Sequence, residues 1–315
     1  MGLRNKMNIL VGQNHLDTVG GSEKYCYTLI EILVKQGHDV DLILGNSGRK
    51  GIVSDRIKND FDVDNITEKV TKKSYDLALL SHISTVEKVM SSKIKIQKDC
   101  IFQIVHGTVP KLEQPYLSNK IKYISISEEV GSYLFSKYNK KSIVLRNFVN
   151  INKFKPSKYS ENLASVLSLC QNDIFNNYLF KICSSLGLDF KALNKFKNPT
   201  FDVEDTFSSV DLIITLGRGC YEGMSCGRNI LIADHRSYQN PLADGLVTKE
   251  NFFDFVKFNC SGRSSKISPT EKFIKNELLS YSAENGRDMR KLACEYLCAD
   301  KQIEKLINFI IKEKT

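Results

Sequence analysis

The chain has 315 residues, with 45 lysines and arginines against 36 acidic residues, for a formal charge of +9. That length exceeds what one core usually organises, so two domains are expected, and 42% hydrophobic with 26% charged residues fits an ordinary folded protein. The positive excess favours anionic partners, yet it is scattered, not gathered into an arm, and no RNA-binding or zinc-finger signature accompanies it, which argues against nucleic acid.

Asn8–Val11 is a short apolar run bounded by Gly12, and the spacing of Tyr25, Leu29, Ile32 and Leu33 predicts a core-facing helix over Ser22–Gln36. Gly37 stops that helix and Val40–Leu44 follows as the next strand, giving a βαβ unit whose crossover is right-handed. Further strands are predicted at Leu77–Leu80, Ile101–Val105, Lys122–Ser125 and Ile143–Leu145, alternating with helices in a doubly wound domain that ends near Asn147. Phe148–Tyr159, with its single Pro156, reads as a linker. From Ala164 the alternation restarts with a strand at Val166–Leu169, an amphipathic stretch through Leu186, and strands at Leu212–Thr215 and Ile230–Ile232. Two helical segments close the chain, Lys272–Leu279 and Gly286–Ile311, the second with Leu292, Tyr296, Ile303, Leu306 and Ile310 on roughly one face. The expected domains are therefore 1–150, 151–290, and a C-terminal helix over 291–315 packing near the linker.

No apolar run approaches the roughly 18–20 residues that cross a bilayer, and the opening residues through Lys6 hold no signal-peptide core. Cytoplasmic residence is expected, with peripheral contact at the inner face of the membrane permitted by basic charge and amphipathic helices. Nine cysteines, none in a CxxC pair, read as reduced structural thiols. Cys294 and Cys298 stand four apart on the last helical segment without further ligands at metal spacing, so no metal and no other cofactor is expected.

Several short segments carry chemistry. Gly20-Gly21 opens the first helix, where backbone N–H groups and the positive helix end suit a diphosphate; the alternative is a plain turn with Ser22 as N-cap and Glu23 favouring the dipole. His106 ends an apolar strand before Gly107, a position that suits a sugar hydroxyl or a leaving phosphate, while His15 and His82 lie at similar edges. Ser127 with Glu128 and Glu129 reads as a helix N-cap with an acidic first turn. Arg146 reaches either an anion or a surface partner, and Asn147 is placed to rigidify the turn into the linker. The segment Asp211–Asp234 sets two strands around Gly217-Arg218-Gly219, with Glu222 expected where a helix begins at the carboxyl edge of a parallel sheet. A carboxylate there can accept hydrogen bonds from both ribose hydroxyls.

The order of Gly20-Gly21-Ser22-Glu23, His106-Gly107, Ser125-Ile126-Ser127-Glu128, Arg146-Asn147, Phe154-Lys155-Pro156 and Tyr221-Glu222-Gly223-Met224 resembles the family 4 glycosyltransferases, across about residues 7 to 310. The resemblance implies an α/β GT-B fold, two Rossmann-like doubly wound domains facing across a cleft, the N-terminal one on the acceptor side and the C-terminal one on the nucleotide-sugar donor side. It implies Glu222 on the nucleotide ribose, Gly20 and Gly21 beside donor phosphates or acceptor, and His106 by the transferred sugar. It also implies retaining, metal-independent transfer from a nucleotide-diphosphate sugar to a saccharide or lipid-linked acceptor.

Departures accompany these matches. The family's earlier glutamate falls on Ile214, and its diphosphate-holding glycine-arginine and lysine are replaced by Ser168-Leu-Cys-Gln-Asn-Asp173. Arg218, between two glycines, and Arg263, in Asn259-Cys-Ser-Gly-Arg263, are the substitutes expected at the phosphates. Helix-end or surface ion pairs are the alternative for both. A non-catalytic nucleotide-sugar binder or degenerate partner on the same scaffold competes with the enzyme, and a nucleotide-sugar epimerase ranks below both. No GxGxxG follows the first strand, which disfavours a nicotinamide oxidoreductase.

Overall fold

The computed structural model describes residues 6–45, 48–61, 63, 66–67, 74–197, 199–236 and 240–312. The chain divides into two compact units, Met1–Arg146 with Ala299–Thr315, and Asn147–Cys298.

The first unit runs β1 (Asn8–Gln13), α1 (Gly21–Lys35), β2 (Asp39–Leu44), α2 (Ile52–Asp60), β3 (Ile66–Thr67), β4 (Ser74–Tyr75), β5 (Leu77–Ser81), α3 (Ile83–Met90), β6 (Lys95–Ile96), β7 (Ile101–Val105), β8 (Lys122–Ser125), α4 (Glu128–Tyr138) and β9 (Ser142–Val144). Its seven-stranded sheet has the order β3-β2-β1-β5-β7-β8-β9 with every pairing parallel, while β4 and β6 form a small separate ladder. Strand order reverses between β1 and β5, so right-handed crossovers put α1 and α2 on one face and α3 on the other. Ile9, Leu10 and Val11, and Leu77 through Leu80, are buried, as a sheet covered on both faces requires.

The second unit follows with β10 (Ser165–Ser168), α5 (Asp173–Ser185), β11 (Asp189–Ala192), α6 (Glu204–Ser209), β12 (Leu212–Thr215), α7 (Arg218–Ser225), β13 (Asn229–Asp234), β14 (Leu242–Leu246), α8 (Phe252–Lys257), α9 (Glu271–Leu279) and α10 (Ala283–Tyr296). Its sheet order is β11-β10-β12-β13-β14, and only β14 runs antiparallel. Side-chain alternation splits the core into two layers. Leu167, Ile213, Ile230 and Ile232 join one with Tyr221, Met224, Phe252 and Met289, whereas Val166, Leu212, Ile214 and Leu231 join the other with Leu179, Ile182 and Ile274. α7 lies close on its layer because a glycine faces the sheet; a Cβ on Gly223 would stand 2.5 Å from Ile230 Cδ1 and 3.0 Å from Ile213 Cδ1. α10 packs as closely on the turn that follows α7, since a Cβ on Gly286 would lie 2.6 Å from the Gly227 carbonyl oxygen.

The continuous helical segment expected over Gly286–Ile311 is in fact two helices, α10 and α11 (Ala299–Lys312). The break has a physical cause: the Val149 N–H bonds the Leu297 carbonyl at 2.8 Å and Val149 bridges Cys298, so this stretch pairs as a strand. The apolar face is likewise divided. Met289, Ala293 and Leu297 belong to the second unit's core, whereas α11 packs on α1 with Ile303, Leu306, Ile307 and Ile310 buried. Cys294 and Cys298 therefore do not share a helix, Cys298 standing in the break. Residues 1–5 and 313–315, which the sequence reading also covered, lie outside the described residues.

Candidate functional site

Open α/β sheets bind ligands beyond the carboxyl ends of their strands, where strand order reverses. In the first unit that edge lies between β1 and β5, and the chain places Gln13 at the end of β1, Asn14 and His15 just after it, and His82 just after β5. His106 follows neighbouring β7. Its Nε2 lies 3.0 Å from Ser81 Oγ, and its ring stands edge-on to Tyr25 with centroids 4.9 Å apart. The His106 backbone N–H donates to Glu113 Oε2 at 2.9 Å, and His82 Nε2 lies 3.3 Å from Glu113 Oε1.

Glu113, in a one-turn 3₁₀ helix at Lys111–Glu113, thus ties both histidine segments together. Burial acts to raise its carboxyl pKa, but the His82 hydrogen bond and the two neighbouring histidines outweigh burial and hold it below the ordinary value. His82 is the N-cap of α3 with φ 71°, a left-handed conformation unusual for a side chain of this size, and its buried Nδ1 has no hydrogen-bond partner among the described residues. The Gln13 amide, fully buried, has none among them for either polar atom. Backbone strain and orphaned buried groups at this strand edge make it a candidate ligand site. Sequence reasoning missed Glu113, whose segment has no periodic pattern and is brought in only by the fold.

The Gly20-Gly21 mouth of α1 looks different from a phosphate cradle. Gly20 is the N-cap, but the Glu23 carboxylate lies against it, accepting from Ser22 Oγ at 3.0 Å and standing 3.4 Å from His15 Nδ1. Asp17 is 2.9 Å from the same His15 nitrogen. Two carboxylates at this helix end already satisfy its dipole and oppose a further anion. A hydroxylated acceptor suits them better than a diphosphate. No atom of the described residues lies within 4 Å of a Cβ built on Gly21, so Gly21→Ala is expected to raise folding stability by up to about 1 kcal/mol, since alanine is the better helix residue. Urea unfolding measures this, and a loss of stability would mean that the backbone there needs glycine.

In the second unit the reversal lies between β10 and β12. The loop after β10 is closed by its own side chains. Ser168 Oγ donates to Asn176 Oδ1 at 2.7 Å, Asn176 Nδ2 donates to the Cys170 carbonyl, and Asn172 caps α5 by accepting from Phe175 N–H. Asp173 adds a negative charge at that helix end and pairs with Lys197 at 2.8 Å.

After β12 the chain turns at once. Gly217 has φ 58° and ψ −130°, accessible in practice only to glycine, and its N–H bonds the Cys260 carbonyl at 3.0 Å. α7 therefore begins at Arg218, and Glu222 sits one turn inside it, not at the start as the sequence pattern suggested. Arg218 Nε donates to Glu222 Oε1 at 2.8 Å and Arg218 Nη1 to the Phe148 carbonyl at 3.0 Å, both side chains being buried. The two residues expected as separate ligands are one buried ion pair. Tyr221 Oη and Asn147 Nδ2 both donate to Asn259 Oδ1, at 3.1 and 2.8 Å, so Asn147 fixes a distant loop instead of its own turn.

Arg263 is half-buried in the segment after Asn259. The backbone N–H groups of Gly262 and Ser265 hold that segment on the buried Asp244 carboxylate. Arg146 pairs with Glu128 within the first unit, while Ser127 caps α4 by accepting from Val130 N–H at 3.3 Å.

No family model and no curated protein matches the sequence. Solved structures do match the fold. A glycosyltransferase from Rickettsia africae ESF-5 superposes with a TM-score of 0.61 at 13% identity, covering 97% of this chain and 98% of that one. CalG4, the calicheamicin glycosyltransferase, gives 0.51 at 9% identity over 98% and 99% of the two chains. Acinetobacter baumannii MurG gives 0.50 at 11% identity over 97% and 99%. The chain thus has the α/β fold of the GT-B glycosyltransferases, with two Rossmann-like domains. Among the described residues no helix is long and apolar enough to cross a membrane.

Proposed function

We propose that the protein is a glycosyltransferase, divergent from family 4, that moves a sugar from a nucleotide-diphosphate donor to a hydroxyl of a saccharide or lipid-linked acceptor. It works in the cytoplasm, without a metal and with retention at the anomeric carbon. The donor belongs to the second unit and the acceptor to the first. Glu222 holds the ribose, and Arg218 with Arg263 neutralises the diphosphate as it leaves.

One observation carries the reading: the buried Arg218–Glu222 pair at the mouth of α7, beside the strand reversal. A cation in the first helical turn with its anion four residues on opposes the helix dipole and is the weaker order for such a pair. Local stability does not favour this arrangement, which suits ligand binding instead. α7 also has no acidic residue in its first turn, whereas α1 has Glu23, so the diphosphate is assigned to α7. The acid-capped loop after β10, with Asp173 where the family places cations, favours the second reading, a donor binder without turnover.

Thermal unfolding against uridine, guanosine and adenosine diphosphate sugars tests both. A ligand that binds only the folded chain raises the midpoint, by the equivalent of about 2.7 kcal/mol at a hundredfold excess over Kd. One base class is expected to do so, and donor hydrolysis or transfer then separates enzyme from binder. No shift with any of the three would overturn the proposal.

A further inference from the structure

The outer flank of the second unit carries a feature that glycosyl transfer does not use. α5 and the edge strand β11 meet there, followed by the turn at 193–197. Ile174 is 79% exposed, Phe180 53% and Phe196 73%, which places three of the exposed large apolar side chains on one short stretch of chain. These side chains are organised. The Phe180 and Phe190 rings meet at 6.2 Å, and the Lys195 ammonium lies 5.1 Å from the Phe196 ring centre. The ion pair of Lys197 with Asp173, and the bond from Asn194 Nδ2 to Asp173 at 3.3 Å, fasten the turn to the end of α5 that bears Ile174.

Charge selects the occupant. Residues 171–197 contain Lys181, Lys191, Lys195 and Lys197 against only Asp173 and Asp189, and Asp173 is already paired. A second copy docking through the same flank would bring like-charged lysines together across the two-fold axis, which disfavours self-association. Lysines on an edge strand also guard against strand pairing, but that role needs no exposed phenylalanines beside them. Aromatic rings next to lysines match the boundary of an anionic bilayer, where the rings enter the headgroup region and the ammonium groups face lipid phosphates.

We propose that this flank, with Phe180 and Phe196 as apolar anchors and Lys181, Lys191 and Lys195 as the basic rim, docks the protein on an anionic phospholipid surface. The proposal stands apart from the sugar-transfer reading and holds whether or not a donor is found.

Co-sedimentation of the full chain with vesicles tests it. The protein is expected to pellet with phosphatidylcholine–phosphatidylglycerol vesicles at low salt, to be released by high salt, and to ignore pure phosphatidylcholine. Lys181→Glu/Lys191→Glu should weaken binding by about 25-fold or more, roughly fivefold for each lysine lost, and Phe180→Ser/Phe196→Ser should weaken it on the same vesicles. All four side chains lie at the surface, so unchanged thermal midpoints are expected. If a variant fails to fold, the comparison of vesicle composition and salt on the parent chain decides alone. Equal binding to neutral and anionic vesicles, binding to neither, retention only on duplex DNA, or dimerisation through this flank would each overturn the proposal.

Discussion

Glu222→Ala is expected to lower folding stability by about 3–5 kcal/mol, because it leaves the Arg218 guanidinium buried without its counter-charge. The same substitution removes the acceptor proposed for the ribose hydroxyls, a loss of about 1.5–3 kcal/mol that weakens the donor by more than tenfold. The two effects are separable. Replacing both partners with apolar residues of similar size, Arg218→Met/Glu222→Leu, should recover most of the stability, since exchange of a buried pair for packed side chains is often neutral or stabilising. Donor binding should stay as weak as in the single variant. Urea unfolding supplies the first quantity and calorimetric titration, with whichever nucleotide sugar raises the midpoint, supplies the second. A double variant that binds donor like the parent would take the pair out of the site.

Much of the framework was legible because strands buried on both faces have a clear signature. Leu212–Thr215 and Ile101–Val105 lie where continuous apolar runs placed them, and α1 begins within one residue of the pattern. What escaped is equally physical. β11 is exposed at a sheet edge and alternates without an apolar run, while β14 contains Asp244 and Gly245, the latter at φ 103°, so neither reads as a strand. The break between α10 and α11 depends on hydrogen bonding by Val149, almost 150 residues earlier in the chain, which no local spacing encodes. The candidate site was legible in part, as a grouping of residues. The motif around Glu222 marked a polar cluster, but its pairing with Arg218 needed α7 to start at Arg218, a consequence of the backbone at Gly217. Glu113 could not be found by pattern at all. Its importance lies in which strand ends the topology brings together.

The histidine cluster in the first unit gives the second large expectation. His106→Ala should lower kcat by about 10²-fold or more if its imidazole exchanges protons with the reacting sugar, with donor affinity nearly unchanged because the donor is proposed to bind the other unit. Glu113→Gln should have a different signature, since Glu113 acts through the histidines. It loses charged-acceptor hydrogen bonds worth about 1.5–3 kcal/mol in stability and loosens the His106 backbone it holds at 2.9 Å. The pH dependence fixes the interpretation. Because the Glu113 carboxyl lies below its ordinary value in the folded chain, the unfolded chain binds the proton more readily. The carboxylate's contribution is therefore complete above the ordinary glutamate pKa and is lost as pH falls through the lowered folded value. Parent and Glu113→Gln stabilities should converge in acid and separate towards neutrality, as urea unfolding across pH would show. A constant gap would mean that the glutamine loses only packing, and the ionic tie between Glu113 and the two histidine-bearing strand ends would have to be abandoned.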